Sequence, residues 1–96
     1  MINILIACRT GMGSSMMLKI KVEQVIRENN WDMEVQHDEI SAAQGFSGDL
    51  LITMADLANE FTNVNFDVIG INNLMDKNEI YTKLKEYLER KKVWVY

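Results

Sequence analysis

Four short hydrophobic runs, separated by segments with helical spacing, outline the organisation of the chain. Residues 2–7 are apolar except for Asn3, which is typical of a central strand covered on both faces of a parallel sheet. Residues 33–38 alternate apolar with polar side chains, which predicts a half-exposed strand at a sheet edge. Two further strands are predicted at 49–53 and 67–71.

The first helix is predicted to run from about Ser15 to about Asn29. Ser14 or Ser15 is its expected N-cap, and Asn29 with Asn30 is its expected end, since asparagine tolerates the left-handed conformation that ends helices. Its apolar stripe comprises Leu18, Val22, Val25 and Ile26. The residues expected on its solvated side are Lys19, Glu23 and Arg27.

Capping boxes predict where two more helices begin. Thr53 with Asp56 starts a short helix that extends through Phe61, and Asp76 with Glu79 starts the last helix. The apolar face of the last helix comprises Ile80, Leu84, Tyr87 and Leu88.

Two segments have weaker patterns. Residues 40–44 could form one or two helical turns between glycine-marked bends. The tail, 93–96, is either an added edge strand or a packed segment, and the pattern does not choose between them.

Strands that alternate with helices in this way indicate an α/β fold with a parallel sheet. We expect one domain over residues 1–96, with a four-stranded parallel sheet in the order 2-1-3-4 and helices on both faces. This order places the topological switch point at the C-terminal ends of strands one and three, where open α/β sheets bind ligands. Cys8 follows strand one at this point, and Thr53 leaves strand three next to it.

Cys8 opens a loop with two glycines that leads directly into the first helix. Backbone N–H groups of such a loop can form an anion-binding concavity, and the first helical turn adds unpaired N–H groups and partial positive charge. A thiol in that field is expected to have a lowered pKa, which makes it a nucleophile near neutral pH. A thiolate beside a phosphate cradle suggests a phosphocysteine intermediate.

This segment also has structural interpretations. A lone cysteine is most often a small buried hydrophobe, and Gly11 and Gly13 could simply satisfy turn dihedral angles. The place of Cys8, after a strand and before a helix N-terminus, favours the functional interpretation. The loop is not a Walker A sequence, because the Gly-Lys-Ser/Thr ending is absent, and it lacks the third glycine of a dinucleotide fingerprint.

Other side chains near the loop have two interpretations as well. Arg9 either screens a bound phosphate or pairs with a partner protein, or it is a solvated loop charge. Met12, Met16 and Met17 either fill the core or form an adaptable docking surface. His37 lies at the C-terminal end of the edge strand, on the same side of the sheet as Cys8, and it is interpreted as a satisfied or solvated histidine in preference to a functional one.

Composition and charge exclude several classes of partner and site. The net charge is -4 and no basic stripe is present, so nucleic acid is not an expected partner. No run of eighteen apolar residues and no basic leader occur, and the lone cysteine fits a reducing cytoplasm. One cysteine and one histidine cannot build a structural zinc site from a single chain, and neither a metal nor a cofactor is expected.

The stretch from Cys8 to Val22 resembles the active-site segment of the IIB components of the bacterial phosphoenolpyruvate-dependent sugar phosphotransferase system. It is most similar to the ascorbate type, in which Cys, two spaced Gly, Ser-Ser-Met and Lys-x-Lys-Val follow one another. Lactose/cellobiose- and galactitol-type IIB components are relatives. Arg9 and Thr10 depart from the pattern, since small or amide residues are expected there.

The resemblance implies a sheet like that of low-molecular-weight phosphatases and a phosphoryl relay in the cytoplasm. Cys8 would accept a phosphoryl group from a phosphohistidine of a IIA partner and pass it to a sugar, ascorbate or similar, bound by a membrane IIC component. Backbone N–H groups and the two serine hydroxyls would bind the phosphoryl oxygens. The residues that the resemblance assigns to this cradle are Arg9, Thr10, Gly11, Met12, Gly13, Ser14 and Ser15.

Two other functions stay open at this point. A small cysteine phosphatase or arsenate reductase would need Cys-x5-Arg, but that position is Ser14, and without proline the chain has no Asp-Pro acid loop. A phosphorylation or redox sensor would use the same cysteine without passing the group on. Sequence does not separate a relay from such a sensor.

Overall fold

The computed structural model describes residues 2–8, 12–39, 43, 45–61, 64–73 and 75–95, and for residues 8, 12–15, 39 and 91–95 it describes the backbone. The strands are β1 (Ile2–Cys8), β2 (Met33–Glu39), β3 (Leu50–Met54) and β4 (Asp67–Ile71). The helices are α1 (Met12–Glu28), α2 (Ala55–Ala58) and α3 (Lys77–Val95). Four residues of the weakly patterned segment 40–44 lie outside the described residues.

All four strands are parallel and lie in the order β2-β1-β3-β4. β1 is central, with Ile4 opposite Val35 of β2 and Leu50 of β3. The predicted α/β class and the 2-1-3-4 order are therefore confirmed. Because the strands are parallel, their C-terminal residues share one edge of the sheet, where Cys8 ends β1 and pairs with Glu39.

Two apolar clusters cover the two faces of the sheet. Helices lie on both sides as predicted, because α1 and α3 belong to one cluster and α2 packs on Gly70, which shares the other face with Val68. The larger cluster joins α1 and α3 to alternate residues of the strands, including Ile4, Ile6 and Ile52. The smaller one lies on the opposite face and includes Leu5, Ala7 and Leu51 together with Ala43 and Phe61. The central strand is buried on both faces, as its continuous apolar run indicated.

The predicted stripe of α1 is confirmed, because Leu18, Val22, Val25 and Ile26 are all buried. The prediction for its other side holds only for Arg27, which is exposed; Lys19 and Glu23 are half-buried.

The end of α1 also confirms the prediction. Asn30 adopts a left-handed conformation with φ of 55°, and its N–H donates to the carbonyl of Arg27. The N–H of Trp31 donates to the carbonyl of Ile26, which completes a Schellman motif. Asn29 adds a side-chain hydrogen bond of 2.8 Å to the carbonyl of Val25.

The predicted start of α2 is wrong. Its N-cap is Met54, which makes no side-chain capping hydrogen bond, and Thr53 is still part of β3, opposite Gly70 of β4. Pairing with β4 continues to Met54, which holds Thr53 inside the sheet and keeps its hydroxyl from capping the helix. The helix is also shorter than predicted and ends at Ala58, three residues before Phe61.

Close packing of α2 on β4 depends on Gly70. A Cβ atom at this position would lie 2.9 Å from Cα of Ala55 and 3.0 Å from Cβ of Ala58. Since the nearer atom belongs to the backbone, α2 would have to move. We expect Gly70→Ala to lower the free energy of unfolding by about 1–3 kcal/mol, measured by urea denaturation.

Gly45→Ala is the matched control for this substitution, because nothing lies within 4 Å of the Cβ that it adds. Equal unfolding midpoints for the two variants would contradict the proposed contact between α2 and β4.

The start of α3 confirms Asp76 as a cap and corrects the role of Glu79. Oδ1 of Asp76 accepts hydrogen bonds from the N–H groups of Asn78, at 3.0 Å, and Glu79, at 3.3 Å. The Glu79 carboxylate reaches instead to the segment after β4, where it accepts from the N–H groups of Asn72, at 2.7 Å, and Asn73, at 3.0 Å. It therefore ties the helix to the strand that precedes it.

The body of α3 follows the predicted apolar face, because Ile80, Leu84 and Tyr87 are buried, with Leu88 half-buried. Of the two forms predicted for the tail, the added edge strand is wrong, and the packed segment stays a prediction because the structure describes only the backbone of residues 93–95. Residues 93–95 continue α3, which ends at Val95. A helix already formed adds one hydrogen bond per residue, so extending it costs little compared with starting a new strand.

Candidate functional site

The candidate site lies at the C-terminal edge of the sheet, where β1 leads into α1. Cys8 is the last residue of the central strand, and α1 begins at Met12, only four positions later. The parallel neighbours β2 and β3 lie on either side. The structure therefore places Cys8 at the topological switch point that the strand order predicts.

The first turn of α1 follows Cys8 more closely than predicted. The helix starts at Met12 and not at Ser15, so Ser14 and Ser15 lie within its first turn and neither is the N-cap. Glycine in a helix costs only about 1 kcal/mol relative to alanine, and the fold tolerates this cost at Gly13. N–H groups of a first turn have no intrahelical partner and mark the positive end of the helix dipole, which favours an anion there.

The predicted phosphate-binding set divides into two parts. Arg9, Thr10 and Gly11 lie outside the described residues. The other four are the first turn of α1, for which the structure gives the backbone: Met12, Gly13, Ser14 and Ser15. The first turn carries no acidic residue, so no carboxylate of its own competes with a bound anion.

An exposed apolar surface adjoins this turn. The side chains of Met16, Met17 and Ile20 are 41%, 45% and 46% exposed, at helical positions that share one side of α1. For Met16 and Met17 the interpretation as core residues is wrong, because both side chains are exposed, and the docking surface stays a prediction. Ile20 was missed by the sequence analysis, although its i+4 spacing from Met16 is the signal that groups it with the methionines. We call these three residues the α1 patch.

Two side chains near the same edge each have a buried polar atom with no hydrogen-bond partner in the described part of the chain. Thr53 is fully buried, and its Oγ1 makes no hydrogen bond. His37 is half-buried, and its Nε2 atom has neither exposed surface nor a hydrogen-bond partner. Among the described residues Nε2 is therefore neither hydrogen-bonded nor solvated, and the interpretation of His37 as satisfied or solvated does not hold for this atom.

The carboxylate of Glu79 is the strongest electrostatic feature among the described residues of the C-terminal edge. Burial raises its pKa, but hydrogen bonds from the N–H of Asn72, from Lys83 and from the N–H of Asn73, with the charge of Lys83, outweigh it and lower the pKa from 4.5 to about 2. The Lys83 ammonium lies 2.9 Å from the carboxylate and also donates to the carbonyl of Gly70. Glu79 thus stays ionised and fixes the end of β4.

Two kinds of site are not found in the described part of the chain. No group of three or more His, Cys, Asp or Glu residues is arranged there to hold a metal ion. No helix there is long and apolar enough to cross a membrane.

Fold and site together define a class of α/β domains in which a cysteine ends the first, central strand and a helix N-terminus follows directly. A family profile described as "PTS system, Lactose/Cellobiose specific IIB subunit" matches residues 3–86. The "Ascorbate-specific PTS system EIIB component" of Mycoplasma pneumoniae is 37% identical over 90 residues, which cover 91% of this chain and 95% of that protein. The protein of the same name from Escherichia coli O157:H7 is 32% identical over 91 residues, covering 92% and 90%.

This chain belongs to the IIB components of the sugar phosphotransferase system. It is a phosphotransferase that acts in sugar phosphotransfer. The resemblance of the segment from Cys8 to Val22 thus extends to nearly the whole chain.

Proposed function

We propose that this protein relays a phosphoryl group in ascorbate uptake, with Cys8 as the acceptor. The observation that carries the proposal is the place of Cys8, between the end of the central strand and the first turn of α1. The positive end of α1 favours the thiolate over the thiol and favours the bound phosphoryl group in the same way. Ascorbate is proposed because the relatives that bear its name match over nine-tenths of the chain.

Two displacements make up the relay. In the first, the Cys8 thiolate attacks the phosphorus of a phosphohistidine on a IIA protein, an S–P bond forms, and the N–P electron pair returns to the histidine. In the second, a hydroxyl oxygen of the sugar in the membrane IIC component attacks the same phosphorus, and the thiolate leaves. Phosphoryl transfer of this kind requires positioning and charge stabilisation more than covalent machinery.

The cradle we propose for the phosphoryl oxygens is formed by backbone N–H groups, with the hydroxyls of Ser14 and Ser15. The free N–H groups of a first helical turn, here Met12–Ser15, support this proposal. The residues assigned to it are Arg9, Thr10, Gly11, Met12, Gly13, Ser14 and Ser15.

A relay is favoured over a hydrolase by the same segment. Ser14 stands six positions after Cys8, where a cysteine phosphatase requires the arginine that clamps phosphate, and it lies in the first turn of α1. A relay also has to keep its phosphoryl group until the acceptor arrives, so it benefits from having no general acid.

We also propose that the α1 patch contacts the IIA partner during transfer. Its three exposed apolar side chains begin at the turn after the cradle, on the helix whose N-terminus receives the group. Methionine side chains adapt to different partner surfaces, which suits a protein that meets a IIA donor and a IIC acceptor in turn.

The double variant Met16→Ser/Met17→Ser tests this contact. We expect KM for the phosphorylated IIA protein to rise about five- to tenfold, which corresponds to about 1–1.4 kcal/mol of lost apolar contact, with kcat unchanged. Steady-state transfer kinetics measure both constants. Met75→Ser is the matched control, since Met75 is 57% exposed before α3 and outside the patch. An unaltered KM in the double variant would rule out docking at the patch.

The proposed substrate is tested with vesicles that carry the IIC component of the ascorbate, cellobiose or galactitol system. Phosphoenolpyruvate, the general phosphotransferase proteins, the matching IIA protein and this chain are added, and sugar phosphate is measured. We expect phosphorylation of ascorbate only. Phosphorylation of cellobiose or galactitol without ascorbate would contradict the proposed sugar, and hydrolysis of an aryl phosphate without any transfer would contradict the relay.

A further inference from the structure

The side chain of His37 has a nitrogen atom without a hydrogen-bond partner among the described residues of the unphosphorylated chain. It is the one histidine of the chain, and its Nε2 is buried without a hydrogen-bond partner among the residues that the structure describes. A buried polar atom in this condition costs free energy, and native structures nearly always pair such atoms. A partner for this ring nitrogen is therefore expected, and the described residues of the unphosphorylated chain do not supply one.

The strand register places His37 beside the acceptor. His37 of β2 pairs with Ile6 of β1, and Cys8 stands two residues beyond Ile6 and pairs with Glu39. Two residues along one strand and one strand across separate the Cα atoms of His37 and Cys8 by roughly 8 Å. A phosphoryl group added to Cys8 would lie within reach of a histidine at this separation.

His37 and Cys8 are also placed on the same face of the sheet. Ile4 and Ile6 belong to the apolar cluster under α1 and α3, and Met33 and Val35 pack against it. Paired residues of parallel strands share a face, and so do residues two apart. Positions 6, 8 and 37 are thus on the face that α1 covers.

We propose that His37 is a ligand of the phosphoryl group on Cys8, to which its Nε2–H donates a hydrogen bond. The inference rests on the proposed function, since it requires a phosphorylated Cys8. Nε2 gains its partner when the group arrives and loses it when the group leaves. A hydrogen bond to a charged oxygen is stronger than one between neutral groups, so His37 stabilises the phosphorylated form relative to the free form.

A purely structural role does not account for a histidine at this position. Met33 and Val35 occupy the equivalent positions of the same strand and pack on the core. An apolar residue at 37 would continue that pattern without leaving an unpaired nitrogen. A residue that lowers the stability of the fold in one state and not in another is typical of a functional site.

The equilibrium of phosphoryl exchange with the IIA protein measures this role directly. The ratio of phosphorylated chain to phosphorylated IIA depends on how stable each phosphorylated form is, and a docking defect changes only the rate at which it is reached. For His37→Leu we expect the equilibrium constant to shift about 10- to 100-fold toward the IIA protein. The melting temperature of the unphosphorylated variant should equal or exceed that of the unaltered chain, because the unpaired nitrogen is gone.

Two further variants separate a hydrogen bond from mere packing. His37→Gln keeps an N–H donor near the place of Nε2 and should restore the equilibrium constant to within a few-fold. Gln36→Leu is the control, because Gln36 is exposed and lies on the other face of β2, and it should leave the constant unchanged. An equilibrium constant for His37→Leu within twofold of that for the unaltered chain would overturn the proposal.

The unaltered chain offers a second measurement that needs no variant. Because the chain has one histidine, a long-range ¹H–¹⁵N spectrum assigns both imidazole nitrogens to His37. We expect the Nε2 resonance to shift on phosphorylation. An unshifted Nε2 in a chain shown by mass to be phosphorylated would overturn the role of His37, whereas failure of the chain to become phosphorylated would instead contradict the proposed function.

Discussion

The Cys8→Ser variant should accept no phosphoryl group from the IIA protein and support no sugar phosphorylation. A serine hydroxyl is not ionised near neutral pH, so the helix dipole that favours a thiolate has no anion to favour. We expect the transfer rate to fall at least roughly 10³-fold. Radiolabelled phosphoenolpyruvate, followed through the complete system, measures the loss.

The fold should survive this substitution, which separates a chemical effect from unfolding. Serine is close in size to cysteine, and residue 8 is the last residue of β1, at the C-terminal edge of the sheet. Thermal unfolding should therefore give a melting temperature close to that of the unaltered chain. A folded Cys8→Ser protein that still phosphorylates sugar would show that the phosphoryl group travels by another residue.

Glu79→Gln should destabilise the fold, because it removes a charged carboxylate that several groups hold in place. The Glu79 side chain is 14% exposed, and its carboxylate accepts hydrogen bonds from Asn72, Asn73 and Lys83. A pKa lowered from 4.5 to about 2 means that the folded state prefers the ionised group, and because solvent screens part of this interaction the preference is about 1–3 kcal/mol. We expect Glu79→Gln to lower the free energy of unfolding by about this amount at pH 7.

The direction of the pKa shift determines how the stabilisation by Glu79 depends on pH. A carboxyl group whose pKa is lowered by folding stabilises the protein fully above its unfolded value, here 4.5, and loses that contribution as the pH falls toward 2. The difference in unfolding free energy between the unaltered chain and Glu79→Gln should thus shrink from pH 7 to pH 2. Urea denaturation across this range measures it.

Glu89→Gln is the control for Glu79→Gln, because Glu89 lies exposed on the same helix. It should change the free energy of unfolding little at any pH. A difference between Glu79→Gln and the unaltered chain that stayed constant from pH 7 to pH 2 would show that the lost stability does not come from the ionised carboxylate.

The sheet could be predicted because hydrophobic periodicity follows directly from which faces are buried. The continuous run of β1 and the alternation in β2 distinguish a central from an edge strand, and the structure confirms both. The end of α1 could be predicted for a similar reason, since Asn30 satisfies a local requirement for a left-handed residue. Where local physics decides, sequence is sufficient.

The start of α3 could be predicted from Asp76, but local capping preferences did not predict the starts of α1 and α2. Serine is a preferred N-cap, yet α1 begins at Met12, three residues before Ser15. Threonine is also preferred, yet pairing with β4 keeps Thr53 in the sheet. At Thr53 a local preference worth about 1 kcal/mol is overridden by strand pairing.

The position of the site could be predicted from the sequence, but the hydrogen bonding and exposure of the side chains around it could not. Cys8, two glycines and a following helix indicate the place and the chemistry of the acceptor. Alternation in β2 assigns a face to His37 but says nothing of whether its nitrogen is paired. Helical spacing groups Met16 with Ile20, but burial by neighbouring elements decides whether the group is core or surface, and the structure leaves it exposed.

Intact mass of the chain after incubation with a phosphorylated IIA protein tests the central claim most directly. We predict a gain of one phosphoryl group, mapped by proteolysis at neutral pH to the peptide that contains Cys8, and returned to the IIA protein when unphosphorylated IIA is added in excess. No gain in mass, or a phosphoryl group mapped to a residue other than Cys8, would contradict the relay.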